Sequence, residues 1–188
     1  MKEKCFGGDC LKRVKMNLSN HLIAPFKDVN KDIQRLFSYF LHSAPNIESI
    51  HSKAIERNKH LEIFERMMKE RHFQYQKFCW ANAIIENELM KGNLNGDEFC
   101  LKCKRFVCKK KPTKKEKPQE TDLECFLRHI RNAIAHGRVY LCNTKNNYHI
   151  IFEDENASKN LSARIVCKKA DLEHWKKVLN DSRNFTNN

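Results

Sequence analysis

Glycine and proline are scarce, with 5 and 4 in 188 residues. Collagen-like and low-complexity chains are thereby excluded, and with so few glycines no Gly-rich loop is present to cradle a phosphate, so P-loop and dinucleotide folds have no support. Long apolar runs are missing too. No stretch approaches the roughly 20 residues that span a bilayer, and Met1 to Lys15 (MKEKCFGGDCLKRVK) lacks the apolar centre of a signal peptide. The cytoplasm is the expected compartment, with no membrane partner. Acidic residues are in deficit: 23 Asp+Glu face 36 Lys+Arg, a formal net charge of +13. A field of that sign favours polyanions, such as RNA, DNA or an anionic surface.

Nine cysteines are an odd number in a chain without an export signal, which disfavours a paired disulfide framework. Reduced thiols are the default. Cys100 and Cys103 form a CxxC pair with Cys108 nearby, and Cys5 or Cys10 could complete a four-ligand set. A structural zinc at Cys100/Cys103/Cys108 therefore stands beside the plainer expectation of ordinary thiols and no cofactor.

What is present in abundance is helical periodicity. Phe26, Val29, Ile33, Leu36, Phe37, Phe40 and Leu41 recur at three- and four-residue steps, predicting a helix that ends near Ser43 before Pro45. From Asn46 to Lys91 neither Gly nor Pro occurs, and the apolar period predicts one long helix or two nearly continuous ones. Residues 97–120 change character. From Cys100 to Glu120 nine Lys/Arg face two Glu, or +7 in 21 residues, which predicts a basic loop. Such a run is either a solvated linker or an arm that holds phosphates, through Lys109, Lys110, Lys111, Lys114 and Lys115.

Thr121 and Glu124 form a capping-box pattern, so a helix starts there, with Leu123, Phe126, Leu127, Ile130 and Ile134 as its apolar stripe and Gly137 as its stop. Val139–Cys142, Tyr148–Phe152 and Ala163–Cys167 then read as strands of a small antiparallel sheet, and a short helix follows from about Asp171 to Leu179. The expected fold is mainly α: one domain over 1–188, with long helices at 20–92, a basic Cys-containing loop at 97–120, a motif helix at 121–137, and strands plus a short terminal helix at 138–180. Trp80 and Trp175 fall on or near apolar faces and are expected as core anchors.

The segment LECFLRHIRNAIAHGRVYL concentrates the chemistry. With the stripe at zero on a helical wheel, Arg131 falls near ~80°, Arg128 near ~140°, Asn132 near ~180° and His136 near ~220°. Asn132 and His136 sit one turn apart on the outer face. Arg131 and His136 converge only if the helix end distorts or a partner contributes. Ala133 and Ala135 beside them would let a second helix approach, and a twofold dimer would bring two Arg/His sets into one groove. His129 is expected outward beside Arg128, both as phosphate contacts. Cleavage of an RNA phosphodiester suits this set: an imidazole moves the 2′-hydroxyl or leaving-group proton, a guanidinium neutralises the phosphorane, and Asn132 orients one or the other. The plainer alternative is that both are surface residues, with His136 compensating the carbonyl end of its helix.

Arg131-Asn132-Ala133-Ile134-Ala135-His136 resembles the signature of the HEPN superfamily, an Arg, a polar residue and a His a few positions on. The wording LRHIRNAIAHGRV, preceded by helices and followed by strands ending in an acidic FED, is similar to small bacterial and plasmid-borne HEPN proteins. The resemblance implies a HEPN-like helical bundle that dimerises around the cleft, with Arg131 and His136 catalytic and Asn132 supporting. It also implies a metal-independent endoribonuclease that leaves a 2′,3′-cyclic phosphate, commonly a toxin restrained by an antitoxin or regulatory partner, or an anti-phage effector. Some toxin subfamilies carry Tyr two residues after the His; here that position is Arg138. Two other functions stay open: a non-catalytic nucleic-acid-binding module working through its Lys/Arg arm, and a HEPN-like dimerisation scaffold whose CxxC segment binds zinc.

Overall fold

The computed structural model describes residues 14–15, 17–45, 54–79, 98–99, 104–110, 119–144 and 147–184. Along the chain run β1 (Val14–Lys15), β2 (Leu22–Ile23), α1 (Lys31–Ser38), α2 (His60–Lys69), β3 (Gln74–Cys79), β4 (Glu98–Phe99) and β5 (Arg105–Lys110). They are followed by α3 (Asp122–Ala135), β6 (Val139–Thr144), β7 (Asn147–Glu155), β8 (Leu161–Lys168) and α4 (Lys169–Leu179). β1 and β4 pair with each other, while the remaining strands form one six-stranded sheet in the order β2-β6-β7-β8-β5-β3. All neighbours in it are antiparallel except β3 and β5, which are parallel, with Tyr75 opposite Phe106.

This sheet overturns the expectation of a mainly α helical bundle with a small C-terminal sheet. The described residues form an α+β architecture whose largest element is the mixed sheet. The three C-terminal strands do pair as an antiparallel meander, with Tyr140 opposite Ile151 and Ile151 opposite Val166. Two segments account for the difference. The interval expected to be helical from 46 to 91 turns at Glu70–His72, where His72 has φ 54°, and leaves α2 for β3. Within the expected basic loop, Arg105-Phe106-Val107-Cys108 is a buried run that enters the sheet between β3 and β8. Residues 46–53, 80–97 and 111–118, with Trp80, Lys111, Lys114 and Lys115, lie outside the described residues.

Local sequence explains the helices. Asn30 caps α1 by accepting from the Ile33 N–H at 3.0 Å, so Phe26 and Val29 of the expected stripe precede the helix, and a π-type turn at Tyr39–Ser43 continues it. Thr121 and Glu124 close the capping box of α3 in both directions: the Thr121 N–H donates to Oε2 at 2.7 Å and the Glu124 N–H to Oγ1 at 3.2 Å. All four helices contribute to one buried cluster with alternate residues of the sheet, Ile150 and Phe152 of β7 and Ala163, Ile165 and Cys167 of β8 among them. Trp175 of α4 is fully buried, edge-on to Phe126 and Phe73, and its indole N–H donates to the Met67 carbonyl at 3.1 Å. Among the described residues no helix is long and apolar enough to cross a membrane.

Candidate functional site

α3 packs on β7 on one side and against α2 and the 39–43 turn on another. Its buried positions (Leu123, Cys125, Phe126, Leu127, His129, Ile130, Ala133 and Ile134) therefore sweep about 200° of its circumference, double the width of an ordinary amphipathic stripe. Two expectations are corrected by this. His129 is not on the outward side but 1% exposed, and Ala133 faces the chain's own core rather than a second helix. Arg131, Asn132 and Arg128 remain on the narrow, partly exposed strip, and Ala135 and His136 are exposed.

The helix ends in a Schellman motif. The Arg138 N–H donates to the Ala133 carbonyl at 2.8 Å and the Gly137 N–H to that of Ile134 at 3.1 Å, with Gly137 at φ +65°. His136 is the C-cap, at φ −92°, ψ 6°, so its side chain leaves a backbone that has already departed from the α-helix. Among the described residues, neither the Arg131 guanidinium nor the His136 imidazole has a hydrogen bond or ion pair. Arg138 is held by Glu155 at 2.6 Å and Glu153 at 3.6 Å, and Arg164 binds Glu153 from the next strand at 2.6 and 2.7 Å.

Asn132 is held. Its Nδ2 donates to Asp154 Oδ2 at 3.1 Å, and the same oxygen accepts from His129 Nδ1 at 2.7 Å. Arg128 lies 3.8 Å from that oxygen and makes a two-pronged bond to Glu120, Nε to Oε1 at 2.6 Å and Nη2 to Oε2 at 2.9 Å. The expected phosphate contact is thus engaged by a carboxylate. Burial would raise the Asp154 carboxyl, but His129, Asn132 and Arg128 outweigh it and hold it below the ordinary range. Burial likewise would lower His129, and its bonds to Asp154 and Cys125 outweigh that and raise it. Asp154 Oδ1 is buried without a partner among the described residues.

Beneath this network, Cys125 Sγ lies 3.5 Å from Cys108 Sγ, and both thiols are buried. Accepting from Cys108 pulls Cys125 down, against burial, with His129 adding to the effect; burial and that same bond push Cys108 well up. Cys108 is therefore tied to α3. Cys100 and Cys103, its expected partners in a zinc set, lie outside the described residues. Lys109 and Lys110 belong to β5, and the Lys109 carbonyl is 3.3 Å from His129 Nε2.

Sequence reasoning missed Asp154, Glu120 and Cys125. The FED of β7 was visible as an acid in an apolar strand, and an acid there needs a buried partner. Cys125 and His129 stand at i and i+4, the spacing that places side chains on one helical face.

The family model described as HEPN pEK499 p136 matches residues 2–181. The chain belongs to that family, a plasmid-borne branch of the HEPN superfamily. No curated protein and no solved structure matches it. HEPN membership is consistent with a ribonuclease or a nucleotide-binding module. In this HEPN protein Arg131 and Asn132 lie near the end of α3 and His136 is its C-cap, and of the three Asn132 is the one held by Asp154 of β7.

Proposed function

We propose that this HEPN protein is an endoribonuclease that cleaves RNA through the 2′-hydroxyl, with Arg131 and His136 as catalytic residues and Asn132 in support. One observation carries the proposal: at the end of α3 the supporting Asn132 is anchored to a buried carboxylate, while Arg131 and His136 reach outward without partners among the described residues. The anchored Asn132 has the support that a preorganised site needs, and Arg131 and His136 carry no intramolecular bond among the described residues that a phosphate would have to break.

In the proposed step His136 takes the 2′-hydroxyl proton, the 2′ oxygen attacks phosphorus, and the bond to the 5′ oxygen breaks. The products are a 2′,3′-cyclic phosphate and a 5′-hydroxyl, the latter protonated by a second imidazole or by water. The Arg131 guanidinium neutralises the charge that builds on the phosphorane. Charge neutralisation and proton transfer are both supplied by side chains, so no metal is required at the scissile bond. The excess of basic residues raises the local RNA concentration, and a homodimer supplies the second Arg/His set. A toxin or anti-phage effector under antitoxin control, working in the cytoplasm, is the role that suits this activity.

The test incubates purified wild type, Arg131→Ala and His136→Ala with total RNA in excess chelator and analyses fragment ends. Wild type is expected to cut and leave cyclic phosphate, and each variant to lose at least about 100-fold in rate. Equal cutting by all three, or binding without cutting by the wild type, would replace the proposal with a non-catalytic nucleic-acid-binding or dimerisation module.

A further inference from the structure

We propose that Cys108, Cys125 and His129 bind a zinc ion that bolts β5 to the motif helix. The three donor atoms come from two elements and lie within 4.8 Å of one another, and all three residues are buried. Two thiolates on one tetrahedral zinc, at about 2.3 Å each, stand about 3.8 Å apart. The sulfurs here are 3.5 Å apart, so they close on an ion with a shift of a few tenths of an ångström.

The third donor is oriented for the task. His129 Nδ1 is committed to Asp154 at 2.7 Å, and Nε2 lies 3.3 Å from the Lys109 carbonyl and 3.2 Å from Arg128 Nη2, which also stands 3.7 Å from Cys125 Sγ, so an entering ion displaces that guanidinium nitrogen toward its partner Glu120. A carboxylate holding the far nitrogen of a ligating imidazole is the usual outer support of a protein zinc site, because it fixes the tautomer and strengthens the donor. Asp154 is itself 3% exposed and held by Asn132, so the support is rigid.

Charge decides which ion fits. A buried site tolerates little net charge, and two thiolates with a neutral imidazole sum to zero only with a divalent cation. Thiolate and imidazole donors select zinc over magnesium, calcium or manganese. On binding, the ion displaces the thiol protons and any proton on Nε2 to solvent, and no electron is transferred.

The full chain, reduced and reconstituted with zinc, is tested by metal analysis of wild type, Cys125→Ser, His129→Gln and the double variant Cys100→Ser/Cys103→Ser. About one zinc per chain is expected in the wild type and in the double variant, and less than about a tenth of that in Cys125→Ser and His129→Gln. Asp154→Asn should keep the ion but weaken its affinity about 10–100-fold in competition with a chelating dye. Two further readouts use the wild type alone, in case the core variants fail to fold. X-ray absorption of the zinc form should show two sulfurs and an imidazole nitrogen, and the cobalt form should show thiolate-to-metal charge transfer. Zinc that leaves with Cys100 and Cys103 while persisting in Cys125→Ser overturns the proposal. So does a wild type that takes up no zinc, or one whose Cys108 and Cys125 are joined as a disulfide.

Discussion

Asp154 is the residue on which the candidate site turns. One of its oxygens accepts from both the supporting Asn132 and the buried His129, so the carboxylate couples the surface of α3 to its interior. Replacing it with Asn keeps the shape and removes the charge, leaving His129 in the core with a neutral partner. In the metal-free chain Asp154→Asn is expected to lower unfolding free energy by about 1.5–3 kcal/mol, the usual worth of a hydrogen bond to a charged group. Asn132→Ala removes one half-buried donor and should cost only about 0.5–1.5 kcal/mol. Denaturant titration of both variants and of the double variant checks this. If Asp154→Asn costs no more than Asn132→Ala, the carboxylate does not brace the site. The order of Arg131, Asn132 and His136 along α3 is read directly from the sequence, but the anchor of Asn132 is not. It sits 22 residues downstream of Asn132 on a strand, and no local pattern says which of the chain's 23 acidic residues will meet which helix.

Among the elements, α3 was the most legible and β5 the least, for physical reasons that can be named. Thr121, Glu124 and Gly137 are start and stop chemistry acting within a few residues, and the structure uses all three. The buried face of α3 is wider than a single-stripe wheel predicts, because such a wheel assumes one packing partner whereas this helix meets both the sheet and α2. That second partner is what drew His129 and Ala133 inside. β5 escaped detection because its four buried residues, Arg105 to Cys108, are flanked by lysines, and charge density masked a strand that only long-range pairing with β3 and β8 creates. The stop of α3 gives an element-scale prediction. Gly137 has φ +65°, and nothing lies within 4 Å of the place a Cβ would occupy, so a side chain there meets conformational strain alone. Gly137→Ala should destabilise by about 1–2 kcal/mol, and Gly137→Asn by less, since Asn tolerates the left-handed region. Thermal melts of the pair check it. Equal losses in both would mean that something other than backbone handedness sets the cost. Because Gly137 follows the C-cap His136 directly, the proposed function predicts that RNA cleavage rates follow the same order as the stabilities.

At the scale of the whole molecule, the proposed chemistry asks how Arg131 and His136 meet on one phosphate. They stand five residues apart, about 140° around an ideal helix, and His136 leaves helical backbone at the C-cap. The proposed twofold dimer would solve the problem differently, by pairing the Arg131 of one chain with the His136 of the other. The buried position of Ala133 removes it from any such interface, so the contact would rest on the exposed strip around Ala135 rather than on a stripe of small residues. Subunit mixing separates the two arrangements. When Arg131→Ala and His136→Ala chains are unfolded, combined in equal amounts and refolded, about half of the dimers are mixed, and each mixed dimer carries one intact composite site out of two. Composite sites therefore predict that two inactive proteins regain about a quarter of wild-type cleavage on mixing. Sites built within one chain predict none, because every chain in the mixture lacks one of the two groups. A control that mixes Arg131→Ala with itself through the same cycle fixes the baseline. Recovery only in the heterologous mixture would assign the cleft to the subunit boundary, and its absence, with dimers present by light scattering, would return both residues to a single helix end.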